Sequence, residues 1–267
     1  MIFVGKRMID CGNGIPIVLI PGLQGRWEWM RPAVTALAKH NRVVSFSLCD
    51  ERTSPFPCDP GNAFENYISQ VETALDRARI DRAVIAGVSY GGLIATEFAA
   101  RNPDRVSGLV LANALHASWR PNTLQQRYLD SPIRSIPTFL AGAAARARAE
   151  LVAALPTLSE RTWFTVVQGT RVLLAPGSPA RMARRIAWAR AHRFADANGV
   201  HAPTLVLTGE PDLDQVVPVD VTRRYLNDFV GAEHVVLERT GHNGLVTRPD
   251  AFAGVLERFV NGARIPA

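Results

Sequence analysis

Residues 83–92 of the chain read AVIAGVSYGG. The continuous apolar run at 83–88 predicts a short strand that is buried on both faces. A Gly-x-Ser-x-Gly pattern with Ser89 at its centre follows, and residues 92–101 have a helical pattern. Strand, glycine-flanked serine and helix in this order predict a tight turn that lifts the Ser89 hydroxyl above the edge of a sheet. The helix that begins there would favour negative charge developing beside the serine.

Alternating strands and helices surround this turn. Six apolar runs predict strands, at residues 15–20, 42–47, 83–88, 106–112, 204–208 and 234–238. Five segments predict helices, at residues 29–38, 63–78, 92–101, 219–229 and 250–261. This alternation is typical of an α/β fold with a mostly parallel central sheet flanked by helices. Residues 116–195 interrupt it, because they are rich in Ala, Arg and Leu and their prolines predict several short helices. We therefore predict a core of residues 1–115 and 196–267 with a helical insertion at 116–195.

The composition is that of a globular protein. The chain has 267 residues, of which 47% are hydrophobic and 20% charged, and this length can bury a large core without disulfides or metals. Cys11, Cys49 and Cys58 form no Cys-x-x-Cys pair, the N-terminus lacks a signal-peptide pattern, and no apolar run reaches about 18 residues. We expect a cytoplasmic protein without an integral membrane segment. Because the sequence has no nucleic-acid, metal-ligand or nucleotide-binding motif, we expect no nucleic-acid partner, no metal ion and no cofactor.

A serine hydroxyl needs a neighbouring base before it acts as a nucleophile. Among the six histidines, His242 is the one in a turn between the last predicted strand and the last predicted helix. The loop after strand 204–208 supplies carboxylates that can orient a histidine ring. Asp212 and Asp214 are both candidates there, because Asp212 lies three residues after Gly209 and Asp214 lies four before Pro218.

An oxyanion hole would complete such a site, with two backbone amides that hold the developing negative oxygen. One amide belongs to Tyr90, directly after the serine, and the other to Leu23, in the glycine-containing loop after strand 15–20. Five nearby residues are candidates for a substrate pocket, namely Gly22, Gln24, Trp27, Trp29 and His116. Packing inside the protein or a place at its surface is the alternative for the tryptophans and the histidine.

With these motifs in this order, the sequence resembles the α/β-hydrolase fold superfamily, in the branch that has a serine nucleophile and a helical lid. The resemblance covers nearly the whole chain and implies a triad in the order serine, acid, histidine, which fits Ser89 and His242. The family commonly carries its acid in the pattern Gly-x-x-Asp-x-x-x-Pro. The loop here is two residues longer than that pattern, and its spacing to the proline favours Asp214 over Asp212.

The resemblance also implies that residues 116–195 form the lid. This segment contains twelve arginines and three acidic residues, in a chain of net charge +6. The arginines would form a solvated face, or would attract an anionic substrate, an acidic carrier protein or a membrane surface. Two features depart from the family pattern: Pro21-Gly22 replaces the usual His-Gly, and the loop at 49–54 reads CDERTS instead of a glycine-rich turn.

The expected reaction is hydrolysis of a small-molecule carboxylic ester or thioester through an acyl-enzyme on Ser89. The same triad serves carbon–carbon bond hydrolases, perhydrolases and lyases of this superfamily, and these are the first alternative. The second is a hydrolase-like ligand-binding module with little turnover. Dehalogenases and epoxide hydrolases of this fold use an aspartate at the position of Ser89, which argues against both. A lipase acting at an interface is disfavoured, because no large apolar stripe is evident in the insertion. The sequence leaves the natural substrate and the oligomeric state open.

Overall fold

A seven-stranded sheet organises the computed structural model, which describes residues 8–263 apart from the side chains of residues 139, 140 and 144. Its strands are β1 (Met8–Cys11), β2 (Pro16–Ile20), β3 (Arg42–Phe46), β4 (Ala83–Val88), β5 (Val106–Ala112), β6 (Thr204–Thr208) and β7 (Glu233–Val236). Their order across the sheet is β1-β3-β2-β4-β5-β6-β7. Strand β1 is antiparallel to β3, and every other neighbouring pair is parallel. The predicted α/β fold with a mostly parallel sheet is confirmed.

Helices connect the strands. The α-helices in the described residues are α1 (Arg31–Leu37), α2 (Glu65–Ala78), α3 (Tyr90–Arg101), α4 (Thr123–Asp130), α5 (Ile136–Ala154), α6 (Leu158–Leu174), α7 (Pro179–Ala191), α8 (Val219–Arg223), α9 (Tyr225–Asp228), α10 (Gly244–Thr247) and α11 (Pro249–Gly262). Short 3-10 turns occur at Trp27–Met30, Pro60–Asn62, Pro103–Arg105 and Ala197–Gly199. Helices α4 to α7 all lie between β5 and β6 in the chain, within the predicted insertion. Whether this insertion works as a lid stays a prediction.

Both faces of the sheet are covered, as the continuous apolar runs require. In β2, Val18 and Ile20 pack into the core on the side of α2 and α3, while Ile17 and Leu19 pack on the side of α1 and α11. This alternation follows from the two-residue period of a strand. Since the strands from β2 to β7 are parallel, their carboxyl ends lie along one edge, and the loops carrying Ser89, Asp214 and His242 leave from that edge.

Three local features differ from the prediction. Strand β1 was not predicted, because its sequence MIDC is short and contains Asp10, whose carboxylate pairs with Arg42 on β3 at 2.7 Å. The helix predicted at 219–229 is two short helices, α8 and α9. The final helix is preceded by the single turn α10, which directly follows the turn containing His242.

No helix within residues 8–263 is both long and apolar enough to cross a membrane.

Candidate active site

Ser89 occupies a strained turn between β4 and α3. Its backbone has φ 53° and ψ −118°, a left-handed conformation that residues other than glycine rarely adopt. Three hydrogen bonds hold it there: the Ser89 amide donates to Ala112 O at 2.9 Å, and the Ser89 carbonyl accepts from the amides of Gly92 at 2.9 Å and Leu115 at 3.0 Å. The neighbouring strand β5 and the loop after it therefore fix the angle at which this side chain leaves the sheet.

Glycines beside Ser89 allow the close approaches that the turn requires. A Cβ atom at Gly87 would collide with the carbonyl of Gly91, and one at Gly91 would lie 2.6 Å from Ile20 O. Gly22 is close to the serine as well, since a Cβ there would stand 3.2 Å from Ser89 Cβ. The Gly-x-Ser-x-Gly pattern thus brings β4, α3 and the loop after β2 together around one hydroxyl.

His242 and Asp214 meet at this edge of the sheet. His242 Nδ1 lies 3.2 Å from Asp214 Oδ2, and the other carboxylate oxygen accepts the amides of Val216 and Val217, each at 3.0 Å. Burial alone would raise the pKa of the Asp214 carboxyl, but the His242 charge, its hydrogen bond and the two amides lower it below the ordinary value. Asp214 therefore stays ionised beside the ring.

The ring of His242 responds to the same contact in the opposite direction. Burial alone would lower its pKa, but the charge of Asp214 and their hydrogen bond, together with the charge of Glu150, raise it. An ionised Asp214 that receives Nδ1–H leaves Nε2 as the acceptor, which is the tautomer a general base requires. Asp212 is exposed at the loop surface, where its backbone carbonyl accepts from Gln215 at 3.1 Å. Of the two candidate acids, the structure brings Asp214 to the histidine.

A turn at Gly22–Gly25 presents the Leu23 amide. The Gly25 amide donates to Gly22 O at 2.9 Å, which fixes the peptide plane between Gly22 and Leu23 and points the Leu23 N–H the opposite way. Tyr90 begins α3, so its amide is among the first four that have no acceptor inside a helix. The pairing of Ile20 with Gly87 places these two loops side by side at the edge of the sheet.

A buried cluster of charged side chains, centred on Arg185, packs against the turn at Gly22–Gly25. Arg185 on α7 is fully buried and donates to Leu23 O at 2.7 Å, to Asp50 Oδ1 at 2.7 Å and to Glu51 Oε1 at 2.7 Å. Glu51 Oε2 also accepts a hydrogen bond from Arg181 Nη2 at 2.9 Å. Burial alone would lower the pKa of Arg185, but the neighbouring carboxylates raise it, so the guanidinium stays protonated. The loop at 49–54 thus supplies carboxylates where the family pattern has glycines, and three arginines of the insertion, at positions 181, 184 and 185, pair with them.

Glu150 on α5 is a second buried group that the sequence did not single out. Its carboxylate accepts from the Asn243 amide at 3.0 Å, from Asn243 Nδ2 at 3.0 Å and from Thr247 Oγ1 at 3.1 Å. It thereby ties the insertion to the residue directly after His242. The one available signal was its isolation among the arginines of the insertion, and that pattern is equally typical of an exposed carboxylate.

Asn113 joins the loops of the acid and the histidine. It follows β5 with φ 44°, a left-handed conformation that asparagine tolerates better than most residues. Its Nδ2 donates to the carbonyls of Gly241 at 3.1 Å and His242 at 3.3 Å, and its Oδ1 accepts from the Gly209 amide at 2.9 Å. The Asn113 side chain therefore helps to set the distance between Asp214 and His242, although it contacts neither the imidazole ring nor the carboxylate.

Ser89 and His242 line one cavity of about 510 Å³. This volume is within the range of small-molecule sites. Of the five predicted pocket residues, Gln24 and Trp29 line it, and so does Leu23, which the sequence predicts for the oxyanion hole. Most of the remaining lining is apolar and includes Leu115, Trp119, Leu129, Ile136, Met182 and Ile186. Helices α4, α5 and α7 thus contribute a large part of the wall.

Three of the five predicted pocket residues are outside this lining. Gly22 lies beside Ser89 but does not line the cavity. Trp27 is buried in the core on the α1 and α11 side of the sheet, which is the packing alternative. His116 Nε2 lies 2.7 Å from Asp228 Oδ2, and its ring packs edge-on against Tyr225, outside the cavity lining. Trp29 differs from Trp27 because its Nε1 donates to Ala175 O at 2.8 Å, which turns its ring towards the insertion.

Among the described residues, no group of three or more His, Cys, Asp or Glu side chains could hold a metal ion.

A family model described as alpha/beta hydrolase fold matches residues 15–249. The chain belongs to this family. This α/β hydrolase is an enzyme, and its relatives cover several hydrolytic reactions. It is 29% identical over 120 residues to 2-hydroxy-6-oxo-2,4-heptadienoate hydrolase of Pseudomonas putida, a match that spans 43% of each chain. It is 25% identical over 260 residues to poly(3-hydroxyalkanoate) depolymerase of Ectopseudomonas oleovorans, covering 93% of this hydrolase and 85% of the relative.

The fold of this hydrolase also matches solved structures. The enol-lactonase of Burkholderia xenovorans superposes with a TM-score of 0.73 at 24% identity, covering 95% of both chains. At this identity the likeness concerns the fold alone.

Proposed function

We propose that this hydrolase cleaves carboxylic esters or thioesters of small molecules through an acyl-enzyme on Ser89. The observation that carries the proposal is the 3.2 Å contact between His242 and Asp214, in a protein whose His242 and strained Ser89 line the same cavity. A serine held at such a turn, a half-buried histidine and an ionised carboxylate are the parts that acyl transfer requires.

Each residue has a distinct role in the proposed reaction. Ser89 Oγ attacks the acyl carbonyl while His242 takes its proton, and the amides of Leu23 and Tyr90 hold the oxygen that becomes negative. The acyl–oxygen or acyl–sulfur bond then breaks, and His242 returns the proton to the leaving group. In the second half of the reaction, His242 takes a proton from a water molecule, whose oxygen attacks the acyl carbon. The bond between the acyl carbon and Ser89 Oγ then breaks, His242 gives the proton to Oγ, and the carboxylic acid leaves. Asp214 orients the imidazole and stabilises its charged form.

The proposed substrate is largely apolar, because most of the cavity wall is apolar. Helices α4 to α7 would act as the lid that shapes this wall. The polyester named for the Ectopseudomonas relative is consistent with ester cleavage. A second candidate is hydrolysis of a carbon–carbon bond next to a carbonyl group, supported by the match to a 2-hydroxy-6-oxo-2,4-heptadienoate hydrolase.

The test uses a fluorophosphonate, which reacts with activated serines. We expect a single adduct by intact mass, mapped to Ser89 and absent in Ser89→Ala. With p-nitrophenyl esters of increasing acyl length, we expect turnover that falls at least about 10⁴-fold in Ser89→Ala. A folded protein that forms no adduct would contradict the proposal. An adduct without ester turnover, combined with cleavage of a 2-hydroxy-6-oxo-2,4-dienoate, would favour the second candidate.

A further inference from the structure

One arginine of the insertion lines the cavity that holds the candidate triad. The insertion contains twelve arginines, and the structure describes the side chains of all of them. Those at positions 181, 184 and 185 pair with carboxylates of the loop at 49–54. Arg146 on α5 is the one arginine of the insertion in the cavity lining. An anionic substrate that is attracted by the insertion would therefore meet Arg146 once it is inside the cavity.

Arg146 lies beside a face of α5 that forms part of the cavity wall. Ile136, Ala143, Ala147 and Glu150 line the cavity at intervals of seven, four and three residues, so they share one side of the helix. Arg146 directly precedes Ala147, at the margin of this side, and lines the cavity too. Arg146 and Glu150 are thus the charged residues that α5 contributes to the wall.

The guanidinium of Arg146 lies towards the N-terminal half of α5. A Cβ atom at Gly142 would stand 2.7 Å from Arg146 Nη1, so the side chain runs back along the helix, as long helical side chains do. Gly142 precedes Glu150 by eight residues, which corresponds to ~12 Å along the helix axis. Glu150 accepts from Asn243, which directly follows His242. The positive charge therefore stands ~12 Å from the level at which α5 meets the histidine turn.

We propose that Arg146 binds a carboxylate carried by the leaving group of the substrate. This inference rests on the proposed ester cleavage, in which His242 returns a proton to the leaving group. The leaving group therefore lies on the histidine side of the cavity, where Glu150 and Asn243 join α5 to the wall. An extended chain covers ~3.5 Å in three bonds, so ~12 Å corresponds to about ten bonds. The substrate class is an ester of a long hydroxy acid, or a thioester of the equivalent mercapto acid.

The groups in the wall favour a carboxylate as the bound anion. A guanidinium presents five N–H donors in a planar fork, so Arg146 can bind both oxygens of a carboxylate in addition to contacts within its own chain. The Glu150 carboxylate accepts three hydrogen bonds from Asn243 and Thr247, which hold it at the histidine turn. Arg146 supplies one positive charge, which a carboxylate matches, whereas a phosphate dianion would keep an unpaired charge in a largely apolar cavity.

The test compares esters that differ in one charge. The substrates are the butanoyl esters of 4-hydroxybutanoate, 6-hydroxyhexanoate and 10-hydroxydecanoate, each beside its neutral carboxamide, with release of the alcohol followed by mass spectrometry. We expect the wild type to favour the longest acid over its amide at least ~10-fold in kcat/KM, and Arg146→Met to reduce this ratio at least ~10-fold. The matched control is Arg148→Met, the same change at an exposed arginine of α5 outside the cavity lining, which should keep the wild-type ratio.

The contrary outcomes separate this inference from the proposed function. Turnover of the amides with acid-to-amide ratios near one, or a ratio largest for 4-hydroxybutanoate, would contradict the anion site while ester cleavage stands. An acid preference that persists in both Arg146→Met and Arg146→Gln would assign the anion to another group. A preference for the p-nitrophenyl half-ester of adipate over p-nitrophenyl hexanoate that Arg146→Met abolishes would place the carboxylate on the acyl side instead.

The proposed function itself fails if the wild type hydrolyses none of these esters and forms no fluorophosphonate adduct, and this inference then fails with it. Circular dichroism and thermal unfolding show whether each variant is folded.

Discussion

Replacing Arg185 with methionine removes a buried charge at the meeting point of α7 and two loops. The guanidinium contacts Asp50 Oδ1 through Nε at 3.0 Å and Nη2 at 2.7 Å, Glu51 Oε1 at 2.7 Å and Leu23 O at 2.7 Å. Methionine fills a similar volume but donates to none of them. We expect the variant to lose stability and to loosen the turn that presents the Leu23 amide.

The expected loss follows from what the carboxylates keep. Removing one partner of a buried ion pair usually costs ~3–5 kcal/mol. Asp50 retains Arg184 at 3.3 Å, and Glu51 retains Arg181 at 2.9 Å, so neither is left without a cation. We therefore expect the lower end, about 3 kcal/mol, for Arg185→Met. The neighbouring Arg184 is 42% exposed and makes one longer contact with Asp50, so Arg184→Met should cost ~0.2–1 kcal/mol.

Urea unfolding followed by fluorescence and circular dichroism measures both variants, provided that the two signals change together. If the free energies of unfolding of the two variants differ by less than about 1 kcal/mol, the reasoning is refuted. The burial of Arg185 and its four hydrogen bonds would then contribute no more than a surface contact does. In the ester assay, kcat of Arg185→Met should fall about tenfold with a smaller change in KM, since the turn acts on the transition state. Equal kcat values for the two variants would separate this arginine from the oxyanion turn.

Two further substitutions test the charges around the histidine. Asp214→Asn should lower kcat by roughly 10³–10⁴-fold while Asp212→Asn leaves it near the wild-type value, and the reverse order in the ester assay would reassign the acid. Glu150→Gln keeps a hydrogen-bond acceptor for Asn243 but removes a charge that raises the pKa of His242. Because the base acts in its neutral form, the acid limb of kcat/KM against pH should move to lower pH. The matched Glu160→Gln, which changes an exposed carboxylate on α6, should leave the profile in place, and identical profiles for both variants would contradict the role of the Glu150 charge.

Local patterns were sufficient for the parallel strands of the sheet and for the turn at Ser89. A central parallel strand is apolar on both faces, so β4 and β5 are continuous runs with the bounds that the sequence predicts. The edge strand β1 has no such run, because Asp10 is compensated by Arg42 on the next strand. That compensation depends on pairing between distant segments, and sequence spacing does not reveal it.

The choice between the two candidate acids, Asp212 and Asp214, also required the tertiary structure. Asp212 and Asp214 are two residues apart, and each satisfied one family landmark. Burial separates them: Asp214 turns inward to two backbone amides and His242, while Asp212 remains in solvent. A loop of this length can direct either residue inward, so its spacing alone could not decide between them.

The support beneath the site was hidden because its members look like surface residues in the sequence. Arg185 and Asp50 are 135 positions apart, and Glu150 and Asn243 are 93 apart. Charged residues in a loop or on an arginine-rich helix are usually solvated, so no local pattern marks these as buried. The insertion therefore cannot be treated as one basic surface. Arg181 and Arg185 neutralise carboxylates of the core, and Glu150 anchors the turn of His242. The charge excess of the insertion thus partly reflects acidic partners located elsewhere in the chain, and only the remainder can attract an anion.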